Sequence, residues 1–371
     1  MQKKKVIVVA IGTRPEVIKM APLILELMRR DDFFVYVCHS GQHETLCDDA
    51  IDFFGIKIDE NLKIYNHSSS LSGMTADAVL SYTEYLTRIR ADALFVHGDT
   101  TTAFSAALAA FYLRVPVFHV EAGLRSYDIR SPYPEEFNRL AVDAISELCF
   151  APTEKARKNL VRAGKRGSSV FVVGNTVTDA LRYTVSDEYT SEYLDFDRLV
   201  IFTAHRRENI GARMAEMCIA LKKLAEENPS VGFLCPMHPN PAVRAVVAPI
   251  LSGIDNVIVT EPLSVYDFHN LLCRAYMIMS DSGGVQEEAA TLGIPTLVMR
   301  DTTERGEGCE SGVIRLVGSD FSSVYRAARH LLNDPTQRDK MSAGSYSYGD
   351  GRVSEKICDL LDAHFGIPRK C

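Results

Sequence analysis

Short apolar runs rich in β-branched residues alternate with helical patterns along the whole chain, and this alternation limits the possible folds more than any other feature. The first strand is predicted at Lys5 to Ile11 and is followed by the turn Gly12-Thr13-Arg14-Pro15. A helix then begins at Pro15 or Glu16, because proline is favoured in the first helical turn, and ends near Arg30. Strands and helices in strict alternation are typical of parallel sheets covered by helices. The sequence therefore predicts an α/β fold.

The alternation continues through both halves of the chain. In the first half, strands are predicted at 34–38, 93–97, 117–120 and 170–173, and helices at 72–89, 102–113 and 134–147. In the second half, strands are predicted at 199–203, 232–235, 257–259, 276–280, 296–299 and 314–317.

Two stretches look like copies of one unit. The run from Ala93 to Thr100 leads to an alanine-rich helix, then Val115-Pro116 and a strand, and the run from Tyr276 to Gly284 leads to the same sequence of features through Ile294-Pro295. A chain of 371 residues is longer than one core usually supports. We therefore predict domains at residues 1–175 and 176–355, with a helix at 356–371 that crosses back to the first domain. Since ligands bind beyond the carboxyl ends of parallel strands, we expect two such domains to share one cleft.

Charge and composition exclude several classes of protein. The net charge of −7 argues against a nucleic-acid-binding surface, which needs basic patches. No apolar stretch approaches the roughly 20 residues that span a bilayer, and Met1 to Lys5 leads into a strand rather than a signal peptide, so we expect a soluble cytoplasmic protein. The nine cysteines include no Cys-x-x-Cys pair, so neither a disulfide framework nor a zinc site is indicated.

The run from Asp281 to Glu288 has the features of a phosphate-binding turn, because an apolar strand leads into it and a helical pattern follows. Gly283 and Gly284 allow the backbone to approach a ligand closely, and the first turn of a helix offers unpaired N–H donors to an anion. Either Glu287 or Glu288 is expected to reach past the phosphates to hydroxyl groups such as those of a ribose. The alternative is an ordinary strand-to-helix turn.

Several polar residues follow predicted strands in the first half. They are Arg14 and Lys19 at the first turn, His97 and Asp99 after the strand at 93–97, Glu121 and Arg125 after the strand at 117–120, and Glu135 at the start of a helix. We predict that the carboxylates of Asp99, Glu121 and Glu135 converge, and crowded carboxylates suit an acid or base that works near neutral pH. The alternative role is capping and surface charge, which we favour for Glu136.

In the second half, His205 to Asn209 and Thr302 to Arg305 follow strands and offer cationic groups for a diphosphate. The spacing of His205 and Glu208 fits a metal ligand pair, but no second pair accompanies it, so no metal is predicted. Phe268 is expected either to stack on a base or to belong to the core. No Gly-x-Gly-x-x-Gly follows the first strand, which argues against a dehydrogenase or redox epimerase.

Seven motifs in this order closely resemble the non-hydrolysing UDP-N-acetylglucosamine 2-epimerases. They are Gly12 to Lys19, His97 to Thr100, Val120 to Arg125, Pro134 to Glu136, His205 to Asn209, Asp281 to Glu288 and Asp301 to Arg305. The resemblance runs from the first strand to Tyr348-Gly349-Asp350-Gly351. It implies the GT-B architecture, in which two Rossmann-like domains with parallel sheets face a central cleft.

The resemblance also implies an isomerase that interconverts UDP-GlcNAc and UDP-ManNAc without a cofactor or metal, through elimination of UDP to 2-acetamidoglucal and its re-addition. By similarity, the proton at carbon 2 is handled by Asp99, Glu121 and Glu135. The groups matching the diphosphate site are Arg14, Lys19, His205, the turn Ser282-Gly283-Gly284, and Arg305. The ribose is assigned to Glu288 and the uracil to Phe268. A homodimer that supplies UDP-ManNAc to polysaccharide synthesis is implied as well.

Some relatives have a regulatory UDP-GlcNAc site, and the residues matching it are Gln42, Glu135, Arg206 and His238. A further glutamine near Thr45 and an arginine within 66–81 are missing from this chain. Three alternatives stay open: an epimerase of a related sugar such as a UDP-2,3-diacetamido uronic acid, a GT-B UDP-sugar glycosyltransferase, and a catalytically idle sensor of nucleotide sugars.

Overall fold

The computed structural model describes residues 4–42, 44–64, 70–303, 306–342 and 348–368. The chain divides into two compact units, one formed by residues 1–182 with 349–371 and the other by residues 183–348. The predicted domain limits at 175/176 and 355/356 stay predictions. Within the described ranges, no helix combines the length and apolar character needed to cross a membrane.

The first unit contains a seven-stranded parallel sheet with the strand order β3-β2-β1-β4-β5-β6-β7. Its strands are β1 (Lys5–Ile11), β2 (Phe33–His39), β3 (Glu60–Asn61), β4 (Ala93–His97), β5 (Val117–Val120), β6 (Leu148–Ala151) and β7 (Val170–Val172). The helices are α1 (Arg14–Arg29), α2 (Glu44–Phe54), α3 (Leu71–Ile89), α4 (Thr101–Tyr112), α5 (Glu135–Ile145), α6 (Glu154–Arg162) and α7 (Val177–Thr184), the last of which contains the division between the units.

The second unit contains a six-stranded parallel sheet with the order β10-β9-β8-β11-β12-β13. Its strands are β8 (Arg198–Thr203), β9 (Val231–Pro236), β10 (Val257–Thr260), β11 (Met277–Ser280), β12 (Thr296–Val298) and β13 (Ile314–Leu316). Its helices are α8 (Ala212–Glu227), α9 (Pro241–Leu251), α10 (Val265–Cys273), α11 (Gly283–Leu292), α12 (Gly306–Glu310), α13 (Phe321–Asn333) and α14 (Pro335–Ser342). A last helix, α15 (Val353–His364), belongs to the first unit.

Helix α15 is attached to the first unit by charged contacts. Arg30, which follows α1, donates to the carboxylates of Asp362 at 2.7 Å and Asp359 at 3.2 Å. The main-chain N–H groups of Val353 and Ser354 donate to Asp179 at 3.0 and 2.7 Å. Because these N–H groups open α15 and have no partners within the helix, the Asp179 carboxylate serves as its cap.

The predicted α/β class is confirmed, and the burial of β1 shows its physical basis. Residues Ile7 to Ile11 of β1 are fully buried, as expected for a parallel strand with helices on both faces of its sheet. Two strands, β3 and β6, were not predicted, and the helix expected at 134–147 spans Glu135–Ile145. Ser146 already has an extended backbone, and no glycine or proline marks the boundary between helix and strand.

Candidate active site

Strands β4 and β5 end at the same edge of the sheet, and two of the predicted carboxylates, Asp99 and Glu121, directly follow them. These strands are neighbours in the sheet, and His97 is paired with Val120. Asp99 and Glu121 therefore follow adjacent strand ends at nearly the same level. Glu135 is the first residue of α5 and is half-buried.

Glu121 is buried and its backbone has a φ of 64°, in the left-handed region that residues other than glycine rarely adopt. Its Oε2 accepts hydrogen bonds from the ammonium of Lys19 and, at 2.7 Å, from Nδ2 of Asn175. His97 Nε2 lies 3.6 Å from the same oxygen. A left-handed non-glycine residue costs roughly 1–3 kcal/mol and is typical of functional sites. The fold thus holds the Glu121 carboxylate in one position, at the cost of a strained backbone.

Asp99 differs from Glu121 because about a quarter of its side chain is exposed. Its Oδ2 accepts a hydrogen bond from Arg139, and its main-chain oxygen accepts from Asn138 Nδ2 at 3.0 Å. Both donors lie on α5 and are buried. Helix α5 therefore orients a carboxylate that a ligand can still reach.

Glu136 is not a surface charge, which corrects the role favoured from the sequence. It is only 1% exposed and pairs with Arg139. Its carboxylate also accepts from the main-chain N–H of Ser126 at 3.1 Å and of Tyr127 at 3.3 Å. Because it satisfies the backbone of a loop and the partner of Asp99 together, Glu136 has a structural role in the interior.

Glu16 is a buried carboxylate to which the sequence analysis assigned no role. It accepts hydrogen bonds from the N–H of Gly12 and Thr13 and from the hydroxyls of Thr13 and Thr100, at 2.7 to 3.1 Å. Burial raises its pKa, while these hydrogen bonds act to lower it. Glu16 joins the turn after β1 to the turn that contains Asp99. The Thr-x-x-Glu spacing of a capping box was the signal in the sequence.

His119 and Asp143 form a buried cluster behind the same strand ends. His119 Nδ1 lies 2.7 Å from Asp143 Oδ1, and Nε2 lies 2.8 Å from the carbonyl oxygen of Gly98. Arg125 Nη1 is 2.7 Å from the other oxygen of Asp143. The cluster links Gly98, which precedes Asp99, to the loop that follows Glu121. Sequence reasoning placed Arg125 at this edge but missed His119, which reads as an ordinary residue within a strand.

The other residues predicted for the first unit have partners inside it. Arg14 Nη2 donates to Asp49 Oδ2 at 2.9 Å. Gln42 Oε1 accepts from the hydroxyl of Thr102 at 3.0 Å. Lys19 was predicted as a diphosphate ligand, and in this structure its ammonium is bonded to Glu121.

In the second unit, Asp281 is fully buried and holds the turn that contains His205. Its carboxylate accepts from the main-chain N–H groups of His205 and Arg206, both at 3.0 Å, and from Asn209 Nδ2 at 2.9 Å. Strands β8 and β11 are neighbours, with Thr203 paired to Ser280, so both turns leave the same edge of the sheet. From the sequence, Asp281 had no role of its own and was only the first residue of the run to Glu288.

The turn Ser282-Gly283-Gly284 opens α11, and Ser282 is its N-cap residue with an extended backbone. The Ser282 side chain does not cap the helix, and the main-chain N–H of Ser282 donates to Ser280 Oγ at 3.0 Å. The N–H groups of the first turn have no partners within a helix. The structure thus contains the strand-turn-helix that anion binding requires.

His205 lies at this edge with about a third of its side chain exposed. Its ring stacks on His238, with centroids 5.3 Å apart. Burial lowers the pKa of His205, and the Asp281 carboxylate, 3.9 Å from Nδ1, acts in the opposite direction. Because burial is the larger effect, the imidazole is neutral near pH 7 and can donate one hydrogen bond without carrying a charge.

Glu288 and Phe268 lie on α11 and α10. Glu288 is 9% exposed, and its Oε1 lies 3.7 Å from His269 Nε2. Phe268 is half-buried and packs against the core cluster that includes Ile201 and Leu271. Arg305, the remaining predicted ligand, and the neighbouring Glu304 lie outside the described residues. No group of three or more His, Cys, Asp or Glu positioned to hold a metal occurs among the residues that are described.

Comparisons with known proteins show which family and fold this chain resembles. A family model described as UDP-N-acetylglucosamine 2-epimerase matches residues 25–362. The UDP-N-acetylglucosamine 2-epimerase of Bacillus subtilis (strain 168) is 46% identical over 373 positions, covering 100% of this chain and 98% of that protein.

Two solved structures are similar over nearly the whole chain. The UDP-GlcNAc 2-epimerase of Neisseria meningitidis bound to UDP-GlcNAc has a TM-score of 0.90 and 39% identity, covering 96% of this chain and 99% of that one. The S. aureus MnaA–UDP co-structure has a TM-score of 0.93 and 40% identity, covering 99% and 98%. These likenesses confirm the predicted fold class of two Rossmann-like α/β domains.

Proposed function

The chain belongs to the UDP-N-acetylglucosamine 2-epimerase family and is an isomerase, and we propose that it interconverts UDP-GlcNAc and UDP-ManNAc by elimination and re-addition of UDP. In the first step a base removes the proton from carbon 2 of the sugar. The bond between carbon 1 and the diphosphate oxygen breaks, and its electron pair leaves with UDP. In the second step UDP adds again to carbon 1 of the 2-acetamidoglucal, and an acid returns a proton to the opposite face of carbon 2. The sequence of steps is redox-neutral.

The arrangement of Glu121 and Asp99 carries this proposal. Glu121 is fixed by buried partners, and Asp99 is partly exposed and accepts a hydrogen bond from the Arg139 guanidinium. Two carboxylates at adjacent strand ends, with Glu135 at the start of α5, are proposed to remove and return the proton. A positioned acid or base contributes roughly a hundredfold to ten-thousandfold in rate.

The second unit supplies the groups proposed for UDP. Negative charge develops on the diphosphate as the carbon–oxygen bond breaks, and fixed donors there stabilise the transition state more than the ground state. The first turn of α11 and the neutral imidazole of His205 are such donors. One donor of this kind is worth roughly a hundredfold to a thousandfold in rate.

The finer assignments follow from the family resemblance. We propose that Glu288 binds the ribose hydroxyls and that Phe268 flanks the uracil. Arg14, Lys19 and Arg305 are proposed to bind the diphosphate, and the Lys19 ammonium also bonds to Glu121. The regulatory role of Gln42, Arg206 and His238, the homodimer and the cytoplasmic location stay predictions.

The proposal is tested by incubating the protein with UDP-GlcNAc in deuterated water without any acceptor and following carbon 2 by NMR. We expect UDP-ManNAc to form and deuterium to enter carbon 2 of both sugars. No exchange with UDP-GlcNAc, together with transfer of the sugar to an added acceptor, would establish a glycosyltransferase instead. Exchange with a UDP-2,3-diacetamido uronic acid but not with UDP-GlcNAc would move the activity to that related substrate.

A further inference from the structure

The ring of His119 is fully buried and both of its nitrogen atoms have partners. Nε2 faces the carbonyl oxygen of Gly98 at 2.8 Å, and Nδ1 faces Asp143 Oδ1 at 2.7 Å. With no surface exposed, His119 cannot touch a substrate. Any effect of this residue on the reaction must therefore pass through its two partners.

Both partners of His119 can only accept hydrogen bonds. A carbonyl oxygen has no proton to donate. Burial acts to raise the pKa of Asp143, but the charges and hydrogen bonds of His119 and Arg125 outweigh it and hold this pKa below its usual value, so the carboxylate is ionised. Nε2 consequently carries the proton that it donates to the Gly98 carbonyl, and the two partners hold the ring in one orientation.

The Nε2–H donor acts on the turn that presents Asp99. Gly98 has a φ of 62°, and its N–H donates to the carbonyl oxygen of Val120 at 2.9 Å. Its own carbonyl oxygen receives the bond from His119. The next carbonyl, that of Asp99, receives a bond from Asn138 Nδ2 at 3.0 Å. The N–H and carbonyl groups of Gly98 and the carbonyl group of Asp99 thus all form hydrogen bonds to β5 or α5.

We propose that His119 is a positioning residue for the reaction: its Nε2–H, donated to the Gly98 carbonyl, sets the orientation in which Asp99 meets the sugar. This inference rests on the proposed function, because Asp99 is the carboxylate it positions. A displacement of about 1 Å in a catalytic group costs on the order of a hundredfold in rate. Most of the groups proposed to bind UDP belong to the second unit, so we expect UDP binding to change little when this turn shifts.

Two near-isosteric variants distinguish the hydrogen bond of His119 to Gly98 from its hydrogen bond to Asp143. In His119→Gln the side-chain amide nitrogen takes the place of Nε2, so the bond to Gly98 is kept and the bond to Asp143 is lost. In His119→Asn the amide nitrogen takes the place of Nδ1, so the bond to Asp143 is kept and the Gly98 carbonyl is left without its donor. A purely structural role predicts that activity follows thermal stability in both variants.

The experiment compares kcat and KM for UDP-GlcNAc in the wild type, His119→Gln and His119→Asn, with His364→Gln on α15 as the control. We expect kcat to fall about tenfold to a hundredfold further in His119→Asn than in His119→Gln, with KM within about twofold of the wild type. The inference is overturned if the two variants have equal kcat, if His119→Gln is the slower, or if the losses follow Tm alone. An inactive wild type would instead contradict the proposed function.

A measurement on the wild type covers the case in which neither variant folds. Nitrogen-15 NMR of the histidine rings is expected to show a proton on Nε2 of His119 that is protected from exchange. A ring with a bare Nε2 would show that the Gly98 carbonyl has no donor there and would overturn the inference.

Discussion

The ammonium of Lys19 donates a hydrogen bond to the carboxylate of Glu121, and both side chains are more than nine-tenths buried. Helix α1 thus supplies the counter-charge for a residue at the end of β5. Removing one partner of a buried ion pair leaves an uncompensated charge and costs about 3–5 kcal/mol.

We predict that Lys19→Met strongly destabilises the first unit and removes most of the activity, whereas the double variant Lys19→Met/Glu121→Gln recovers stability without recovering activity. Urea unfolding followed with kcat measurements checks both parts. A single variant as stable as the wild type, or a double variant that is active, would show that the pair does not have this role.

The second prediction concerns pH and His205. Because burial lowers its pKa in the folded protein, the unfolded chain binds a proton more readily than the folded one. The contribution of His205 to the free energy of unfolding should therefore be constant above its pKa in the unfolded chain, about 6.5. It should fall as the pH decreases below that value. Unfolding free energies of the wild type and His205→Gln at several pH values check this. The variant is expected to lose less stability on acidification; an equal loss in both proteins would assign the effect to other groups.

The third prediction follows from the hydrogen bonds that Asp281 accepts from three donors. In Asp281→Asn one of the two acceptor oxygens becomes an NH2 group, which cannot accept from the N–H donors of the turn, so the turn should shift. We expect the affinity for UDP to fall by about tenfold, which corresponds to about 1.4 kcal/mol. Calorimetric titration with UDP measures it. Asp301→Asn is the control, since that side chain is largely exposed and pairs with the exposed Arg213; an equal loss in the control would remove the special role of Asp281.

The fourth prediction uses the open space at Gly284. Among the described residues, and leaving out the helix backbone, only Glu288 Oε1 lies within contact distance of a Cβ built there, at 3.8 Å. Gly284→Ala should therefore fold normally and gain about 0.5–1 kcal/mol, because alanine is the better helix former. The added methyl group would, however, occupy the first turn of α11, where we propose that phosphate binds. Weaker UDP binding in a protein of equal or higher Tm is expected, and unchanged affinity would place the phosphate elsewhere.

Much of the fold and part of the site could be predicted from the sequence. Strand ends are visible as apolar runs that stop at a polar residue, and this is why Asp99, Glu121 and His205 were located. The pairing of Lys19 with Glu121 was not predictable, because the two residues are 102 positions apart and meet only through the strand order β1-β4-β5. The left-handed backbone of Glu121 and the buried ring of His119 likewise have no local signal. Strand β6 was not predicted because it is short and directly follows a helix.

The most direct test of the central claim is the rate at which deuterium enters carbon 2 of UDP-GlcNAc in wild type, Asp99→Asn and Glu121→Gln, with UDP affinity measured in parallel. We predict that each substitution slows exchange by about a hundredfold or more while the affinity for UDP stays within a few-fold of the wild type. Exchange at the wild-type rate in both variants would contradict the assignment of proton transfer to these carboxylates.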